Sequence, residues 1–441
     1  MTSAVTSTAS PPTAPPVLSC NAIASAYPKK SSQITSALER LEAEGHARRN
    51  CVLIDHSDYA DAGAIFDQLD DEITILLSSA TKNGDIQLLT PVTLKSGQHL
   101  IGLAPRGKYV QLKAPRSFSG SHMVEVGDKT FKGGETERKP SVIRGIHFAP
   151  EWDGKRKSVD SIIFAQCYNG ELIVKDNRFT LDRRAAVFLD CKQSNEGVSV
   201  PVSVVLNSDE MEKRSLLRGG PGLLFDNNRV DGLNSKHVDA WLYPNEGVFI
   251  KMPEVINLPK KYQPRIKDNQ FIGIMKDAIE LESGSDASIL NNTVKPSSTG
   301  VFAWGGILLI GSSSKPLYTV ADNVLETKFW GIKIKSNFRL SMAKNQITSN
   351  EPFKQDKENS LVIVSEVDDG DSCEACNTWK TNSNSSNVES CKGLHNIDGI
   401  IHFEKATCGN VINPDGNSAS RLVHAAFWIV ITMSTLAMSS I

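Results

Sequence analysis

The sequence predicts an all-β protein whose chain winds as a coil of short parallel strands, with short helices near its N-terminus and an apolar helix at its C-terminus. Two observations favour this fold class. From Ile73 to about residue 412, short apolar runs are broken by Asn, Asp, Gly and Ser, and helical periodicity is hard to find. Along the same stretch, an asparagine phrase recurs at a nearly constant step.

The recurring phrase is Asp or Asn, then Asn, then an apolar residue one or two places on. Some separations between its second asparagines repeat: Asn269 and Asn292 are 23 residues apart, and Asn323 and Asn345 are 22 apart. The other separations are near multiples of this step or need an insertion. A period near 22 is within the range of solenoid repeats. The ladder asparagines are Asn177, Asn228, Asn269, Asn292, Asn323, Asn345 and, as a weaker copy, Asn410.

A second phrase, an apolar strand, precedes the asparagine at a steady distance. Ile279 and Ile332 each lie 13 residues before a ladder asparagine. A chain that coils at this step stacks each strand on its equivalent one turn later. An asparagine at a fixed corner suits a left-handed backbone turn, and its amide can hydrogen-bond to the asparagine of the next turn. This arrangement is a parallel β-helix. A Greek-key sandwich is the main alternative, but it does not explain the step.

The chain divides into four predicted segments. Residues 1–30 are predicted to be a disordered tail, because residues 2–16 are Ser, Thr, Ala and Pro with a single Val. Residues 31–72 form an N-terminal capping segment with a helix over 32–44, which Gly45 can end. Residues 73–412 are the parallel β-helix, and residues 421–441 are a C-terminal apolar segment.

The C-terminal segment leaves three interpretations open. Residues 422–438 contain no Asp, Glu, Lys or Arg, and their length is at the lower limit for a helix that spans a membrane. The alternatives are a helix that caps the core and a cleaved lipid-anchor signal. The N-terminus has no clear signal peptide. We expect a protein that is membrane-associated, or exposed at the cell surface or secreted.

The charge balance argues against one class of partner. Lys and Arg total 48 and Asp and Glu total 50, which gives a formal net charge of −2. Binding to nucleic acid depends on neutralising phosphates, so no nucleic-acid partner is predicted.

Two stretches resemble the opening turns of the right-handed parallel β-helix superfamily, the pectate-lyase-like fold. They are Asn83-Gly84-Asp85-Ile86-Gln87-Leu88-Leu89, continued by residues 92–103, and Val142-Ile143-Arg144-Gly145-Ile146-His147-Phe148. Together with the asparagine ladder, the resemblance covers residues 73–412. It implies a fold shared by polysaccharide lyases, glycoside hydrolases, esterases, phage tailspikes and adhesins.

No complete catalytic set of these enzymes is present. Polygalacturonase-like hydrolases would place acidic pairs before an Arg-Ile-Lys run, whereas Asp368-Asp369 follows Arg265-Ile266-Lys267, which also suits an ordinary strand. Ile54-Asp55-His56 resembles a pectate-lyase motif but lies before the first predicted turn. The catalytic residues are therefore left unassigned, and no metal or cofactor is predicted, although Ca²⁺ is left open.

Outward strand positions supply the candidate substrate-binding residues. Stacked polar side chains on one flat face suit an extended sugar chain, and they equally suit any solvated face. The candidates are Asp277, Glu280, Lys333, Lys335 and Asp398, with His402 at an equivalent position. Trp304, Trp330 and Tyr318 are candidates for stacking on sugar rings, although the two tryptophans could instead fill the interior.

The cysteines do not define a zinc site. Cys373 and Cys376 are followed by Cys391 and Cys408 without a second closely spaced pair. Two disulfides, a zinc site and free thiols all stay open. Cys167 and Cys191 lie about one turn apart and could stack in the core.

Two functional hypotheses follow from the resemblance. The first is a β-helix that binds or cleaves a polysaccharide or another glycan. The second is a non-catalytic, adhesin-like surface protein, held at a membrane by residues 422–438. Close carboxylates on one face would favour the first hypothesis.

Overall fold

The computed structural model shows a predominantly β protein with one large, mostly parallel sheet. This confirms the all-β class and is compatible with the predicted coil. The structure describes residues 14–55, 61–78, 85–105, 108–127, 139–151, 159–166, 170–181, 184–191, 221–232, 246–253, 258–312, 314–335, 338–349, 362–365, 374–381, 388–391 and 401–404.

Parallel pairing follows one rule through most of the described chain. Each strand pairs with the strand three places later, which produces three columns of side-by-side strands. The first column contains β2 (Asn50–Asp55), β3 (Ile73–Ser78), β6 (His99–Gly102), β9 (Ser141–Arg144), β12 (Gly170–Lys175), β15 (Pro221–Asp226), β18 (Arg265–Lys267), β21 (Ala287–Leu290), β24 (Leu317–Ala321), β26 (Arg339–Ser349) and β28 (Glu374–Thr381).

The other two columns are built in the same way. The second contains β4 (Asp85–Gln87), β7 (Val110–Ala114), β10 (Ile146–Pro150), β13 (Arg178–Thr180), β16 (Arg229–Asp231), β19 (Gln270–Ile272), β22 (Thr293–Lys295) and the start of β25 (Val324–Lys335). The third contains β5 (Val92–Leu94), β8 (His122–Val126), β11 (Ser161–Gln166), β14 (Ala185–Asp190), β17 (Glu246–Met252), β20 (Asp277–Ser283), β23 (Ala303–Ile310), the end of β25, β27 (Val362–Ser365) and β30 (Ile401–Glu404).

Two short strands pair antiparallel, at opposite ends of the chain. β1 (Leu18–Ser19) pairs with β2, and β29 (Val388–Cys391) pairs with β28. These are the two antiparallel pairs among the strands that the structure describes.

The core lies on the inward side of the three columns. Val248, Ile279, Ile307 and Ile332 are in register on neighbouring strands, and all four are fully buried. Full burial of such a side chain contributes about 1.5–3 kcal/mol relative to exposure. The aliphatic columns therefore supply much of the free energy that holds the strands together.

The predicted asparagine ladder is confirmed over its described members, Asn177 to Asn345. The backbone N–H and the side-chain amide of Asn269 both donate to Oδ1 of Asn292, at 3.1 and 2.9 Å. Each ladder asparagine from Asn177 to Asn323 makes this pair of bonds to the next one. All are buried. Asn410 lies outside the described residues.

The left-handed backbone conformation belongs to the residue before each ladder asparagine. Asp176, Asn227, Asp268, Asn291 and Asp322 have φ values of 51° to 60°. We expected the ladder asparagine to adopt it. The correction has a physical reason: the asparagine is buried, and its amide is fully used for bonding along the ladder, while the exposed residue before it makes the corner.

Three helices precede or interrupt the first strands: α1 (Cys20–Ala26), α2 (Ser31–Ala43) and α3 (Gly63–Phe66). Helix α2 and its end at Gly45 (φ 76°) confirm the predicted helix. Ile23, Ile34 and Leu41 of α1 and α2 pack on the side of the first column opposite to the main core, against residues such as Leu53 and Leu76.

The disordered tail predicted for residues 1–30 extends too far, because β1 and α1 lie within it. Cys20 of α1 forms a disulfide with Cys51 of β2, which ties the helix to the sheet. We did not anticipate this bond. The sequence instead indicated Cys373, Cys376, Cys391 and Cys408 as candidates for disulfides. Cys373 and Cys408 lie outside the described residues. Cys376 and Cys391 are opposite each other in register on β28 and β29.

The predicted C-terminal apolar helix is not supported, because residues 421–441 lie outside the described residues. The candidate membrane segment, residues 422–438, lies within this range. No helix in the described part of the chain is long and apolar enough to cross a membrane. Cys191 is buried and unbridged, while Cys167 is not described.

Replacing one ladder amide tests the ladder. Asn292→Ala leaves the buried N–H and amide of Asn269 without their acceptor, and each buried group that loses its partner costs about 1–3 kcal/mol. We expect urea denaturation to show a loss of stability of about 2–5 kcal/mol. Asn291→Gly, in the exposed left-handed position of the same corner, is the control and should cost far less, because glycine adopts a φ near 52° without strain. Equal losses for both variants would contradict a structural role for the ladder.

Candidate functional site

The third column carries a row of outward positions at the start of its strands. Strand register places Glu246 of β17 in line with Asp277 of β20, because Val248 pairs with Ile279 two residues later. Asp277 pairs in turn with Gly305 of β23, and Gly305 with Trp330 of β25. Four residues that span more than eighty positions of sequence thus lie on one line across the sheet.

Three carboxyl groups and one ammonium group form a cluster around two residues of this line, Glu246 and Asp277. We call it the carboxylate cluster, and its members are Glu246, Lys276, Asp277 and Glu280. Lys276 Nζ donates to Glu246 Oε1 at 2.5 Å and to Glu280 Oε2 at 2.8 Å. Glu246, Asp277 and Glu280 are 4%, 2% and 9% exposed. Since neighbouring strands are spaced about 4.8 Å apart, Asp277 lies one strand step from Glu246.

Burial controls the protonation of the cluster. It raises the pKa of Asp277 to about 7, although Lys276 partly opposes the shift. It also raises the pKa of Glu246. Burial by itself would lower the pKa of Lys276, but the carboxylates of Glu246 and Glu280 outweigh it and raise that pKa above its ordinary value. At neutral pH the cluster therefore holds a firmly charged ammonium and a partly protonated Asp277.

Gly305 lies between two polar atoms without a hydrogen-bond partner among the described residues, Asp277 Oδ1 and Trp330 Nε1. A Cβ added at Gly305 would meet each of these atoms at 2.2 Å. The glycine is therefore required so that an acid and an indole N–H from the two flanking strands can approach each other.

Aromatic side chains border the cluster on the side of β25. The ring of Phe329 lies 6.3 Å from Trp304 and 6.1 Å from Trp330, and Lys333 Nζ lies 5.0 Å from the centre of the Trp330 ring. Trp304 and Trp330 are half-buried. They belong to the outward side, which leaves them suited to stacking on sugar rings.

Tyr318 does not share this position. It is 1% exposed in the main core, and its hydroxyl group lies 2.9 Å from the carbonyl oxygens of Ser283 and Ile310. The expectation that Tyr318 stacks on sugars is therefore wrong, because period-2 alternation turns it inward together with Val320.

Of the predicted substrate-binding residues, Asp277, Glu280 and Lys333 are brought together. Glu280, Leu308 and Lys333 are in register on β20, β23 and β25. Lys335 lies two residues further along β25 and is exposed. Asp398 lies outside the described residues. His402 is described by its backbone, which pairs with Ile363 of β27.

Sequence reasoning missed Glu246 and Lys276. Lys276 directly precedes Asp277, so its closeness could have been noticed, but its bonds to Glu246 and Glu280 depend on the strand register. Glu246 has no motif around it. It is found only once β17 is aligned with β20.

The two runs that resemble enzyme motifs, Arg265-Ile266-Lys267 and Ile54-Asp55-His56, contain residues that form ion pairs within the fold. Arg265 forms an ion pair with Glu171, and Lys267 lies 3.4 Å from Asp226. Asp55 forms an ion pair with Lys30. The Arg-Ile-Lys run is thus an ordinary strand with outward charges, while Asp368 and Asp369 lie outside the described residues.

No group of three or more His, Cys, Asp or Glu side chains is arranged to hold a metal ion in the described ranges. Within the carboxylate cluster, the ammonium group of Lys276 occupies the place between two carboxylates that a cation would take.

No protein-family model matches this chain, and neither a curated protein nor a solved structure matches it significantly. The fold and the site define a predominantly β protein with a long, mostly parallel sheet and an acidic cluster on one outward face.

Removing the ammonium group tests the electrostatics of the cluster. In Lys276→Met, Glu246 and Glu280 lose their counter-ion, and the folded-state pKa of Glu246, which burial already raises, rises further above its unfolded value. A raised carboxyl pKa contributes stability below the unfolded pKa that is lost as pH rises through the folded pKa.

We therefore expect the stability loss of Lys276→Met to be larger at pH 8 than at pH 5, measured by urea denaturation at both values. The exposed Lys335→Met is the matched control and should show little change at either pH. A deficit that is independent of pH would contradict the charge balance described here.

Proposed function

We propose that the chain is a right-handed parallel β-helix of the pectate-lyase-like kind, with the three columns as its three faces. Support comes from the pairing of each strand with the strand three places later and from the buried asparagine ladder. Each turn of the coil would then contribute one strand to each face.

We further propose that it is a glycoside hydrolase that binds a polysaccharide along the third column and cleaves it at the carboxylate cluster. The observation that carries this proposal is the grouping of three carboxyl groups at one place on one outward face, with Asp277 partly protonated near pH 7. Hydrolysis of a glycosidic bond needs one carboxylic acid and one carboxylate.

In this mechanism, Asp277 donates its proton to the glycosidic oxygen as the bond from that oxygen to the anomeric carbon breaks. The carboxylate of Glu280 accepts a proton from the water that attacks the same carbon. Lys276 donates a hydrogen bond to Glu280 and orients its carboxylate. Trp304 and Trp330 stack on the sugar rings beside the reacting bond.

The protonation state of Lys276 argues against a lyase mechanism. A lysine can act as the base of an elimination only when its amine is neutral, and the carboxylates of Glu246 and Glu280 raise the pKa of Lys276 and keep it protonated. The acid and base of the reaction are therefore both assigned to carboxyl groups.

A second candidate function is a non-catalytic surface protein. It is favoured by the burial of Asp277, at 2% exposed, and by the engagement of Glu246 and Glu280 with one lysine. The Cys20–Cys51 disulfide supports a secreted or cell-surface location under either candidate, since such bonds persist in oxidising compartments. Attachment to a membrane through residues 422–438 stays a prediction.

The test is incubation of the full chain with a panel of neutral and acidic polysaccharides, with detection of new reducing ends and of unsaturated products. We expect reducing ends without unsaturated products. Activity should fall as pH rises through about 7, because Asp277 loses its proton.

Asp277→Asn should lower the rate by about 100-fold or more, as expected on losing a general acid. Asp322→Asn, at an exposed corner where Asn is equally suited to the left-handed conformation, is the matched control and should retain activity. Products from Asp277→Asn at the wild-type rate would contradict the assigned role. A panel without any cleavage or binding would favour the surface protein.

A further inference from the structure

A separate cavity lies on the same face, several strands away from the carboxylate cluster. Its volume is about 230 Å³, and it is lined by Ser121, His122, Glu125, Phe164 and Gln166, with Val126 and Gly127 at its end. It is built by the outward sides of β8 and β11.

The walls of the cavity are held in place. The imidazole of His122 stacks on the ring of Phe164, with centroids 4.3 Å apart and planes inclined by 16°. Nδ1 of His122 lies 2.7 Å from the hydroxyl group of Ser161, which is 1% exposed. This shielded hydrogen bond fixes the orientation of the imidazole.

The polar groups of the cavity suit hydroxyl groups better than anions. Burial lowers the pKa of His122, although Glu125 and Asp160 oppose the shift. The imidazole is therefore neutral at pH 7, with one donor and one acceptor. Glu125 adds a carboxylate acceptor, and Gln166 adds an amide with both functions. Arg184 also lowers the pKa of His122, but its guanidinium group lies over the rings of Phe188 and Phe249 and does not line the cavity. The charged group in the cavity wall is Glu125, which repels an anionic ligand.

Strand register connects the cavity to the carboxylate cluster. Glu125, Phe164, Phe188, Phe249 and Glu280 occupy the same position on five successive strands of the third column. At about 4.8 Å per strand, Glu280 lies roughly 19 Å from Glu125 and roughly 14 Å from Phe164, the nearer of these two cavity residues.

The two sites are distinct because a closed region lies between them. Phe188 and Phe249 are 6% and 3% exposed, and the guanidinium group of Arg184 lies over both rings, at 4.3 and 4.8 Å from their centres. A ligand that fills the cavity therefore does not reach the cluster unless it extends along the face.

We propose that the cavity binds one neutral pyranose ring, the end sugar of a polysaccharide chain that runs along the third column to the carboxylate cluster. The stacked wall of Phe164 and His122 contacts the C–H face of the ring. Glu125 and Gln166 bind its hydroxyl groups. The cavity has a volume equal to about eight water molecules in the liquid, which suits a single ring. The position of this sugar relative to cleavage rests on the proposed function.

The direct test is saturation-transfer NMR on the full chain with glucose, galactose and mannose, each compared with galacturonate. We expect at least one neutral sugar to bind and galacturonate to bind at least tenfold more weakly. Glu125→Ala and Gln166→Ala should each weaken the neutral sugar at least tenfold. Gln270→Ala, an exposed glutamine on the second column, is the control and should leave binding unchanged.

Phe164→Leu keeps an apolar side chain and removes the stacking ring, so it tests the wall separately from folding. Equal binding of galacturonate, unchanged binding in both polar variants, or no binding of any neutral sugar would each overturn the proposal.

The outcome is separable from the proposed function. Asp277→Asn should bind the monosaccharide like the wild type, because the cluster and the cavity are separate. Binding that is lost in the cavity variants supports the cavity even if no polysaccharide is cleaved. If the cleavage rate did not depend on oligosaccharide length and did not change in Gln166→Ala, the placement of the end sugar in the cavity would be overturned. The proposal that the chain is a hydrolase would not be affected.

Discussion

The structure depends on how backbone polar groups are satisfied at a repeated corner. Where the chain leaves the first column and enters the second, a left-handed residue such as Asp268 makes the corner and is followed by a buried backbone N–H at Asn269. The side-chain oxygen of Asn292, the next ladder asparagine, accepts hydrogen bonds from that N–H and from the side-chain amide of Asn269. Because an unpaired buried N–H is costly, the ladder holds the register of successive strands.

Register is also what makes the candidate site. Glu246, Asp277, Gly305 and Trp330 are adjacent because strand register aligns them on four successive strands of the third column, although long and unequal segments separate them. A shift by one residue would turn Asp277 toward the core and the aliphatic Ala278 outward. The ladder and the carboxylate cluster are thus parts of one geometric constraint.

The sequence was sufficient for features that repeat locally. The asparagine step predicted the ladder, and the alignment of equivalent strands in successive turns predicted that Asp277, Glu280 and Lys333 share one outward face. It was insufficient where the separation varies, as between Asn177 and Asn228, which are 51 residues apart and yet bond directly. Glu246 follows such a variable segment, so its alignment could not be inferred. The Cys20–Cys51 bond was missed for another reason: it joins a helix to a strand, and no repeat relates them.

The residues of the outward row show what the fold itself requires at the position of Glu246 and Asp277. The same position holds Ser161 and Ala185 before Glu246, and Gly305 after Asp277, all in register. Small uncharged residues therefore satisfy this position, and the fold does not require acids there. Buried charges are costly even when they are paired, and apolar replacements are often neutral or stabilising. Two acids side by side, with a third beside them and one lysine to compensate their charge, are therefore not explained by the packing of this position.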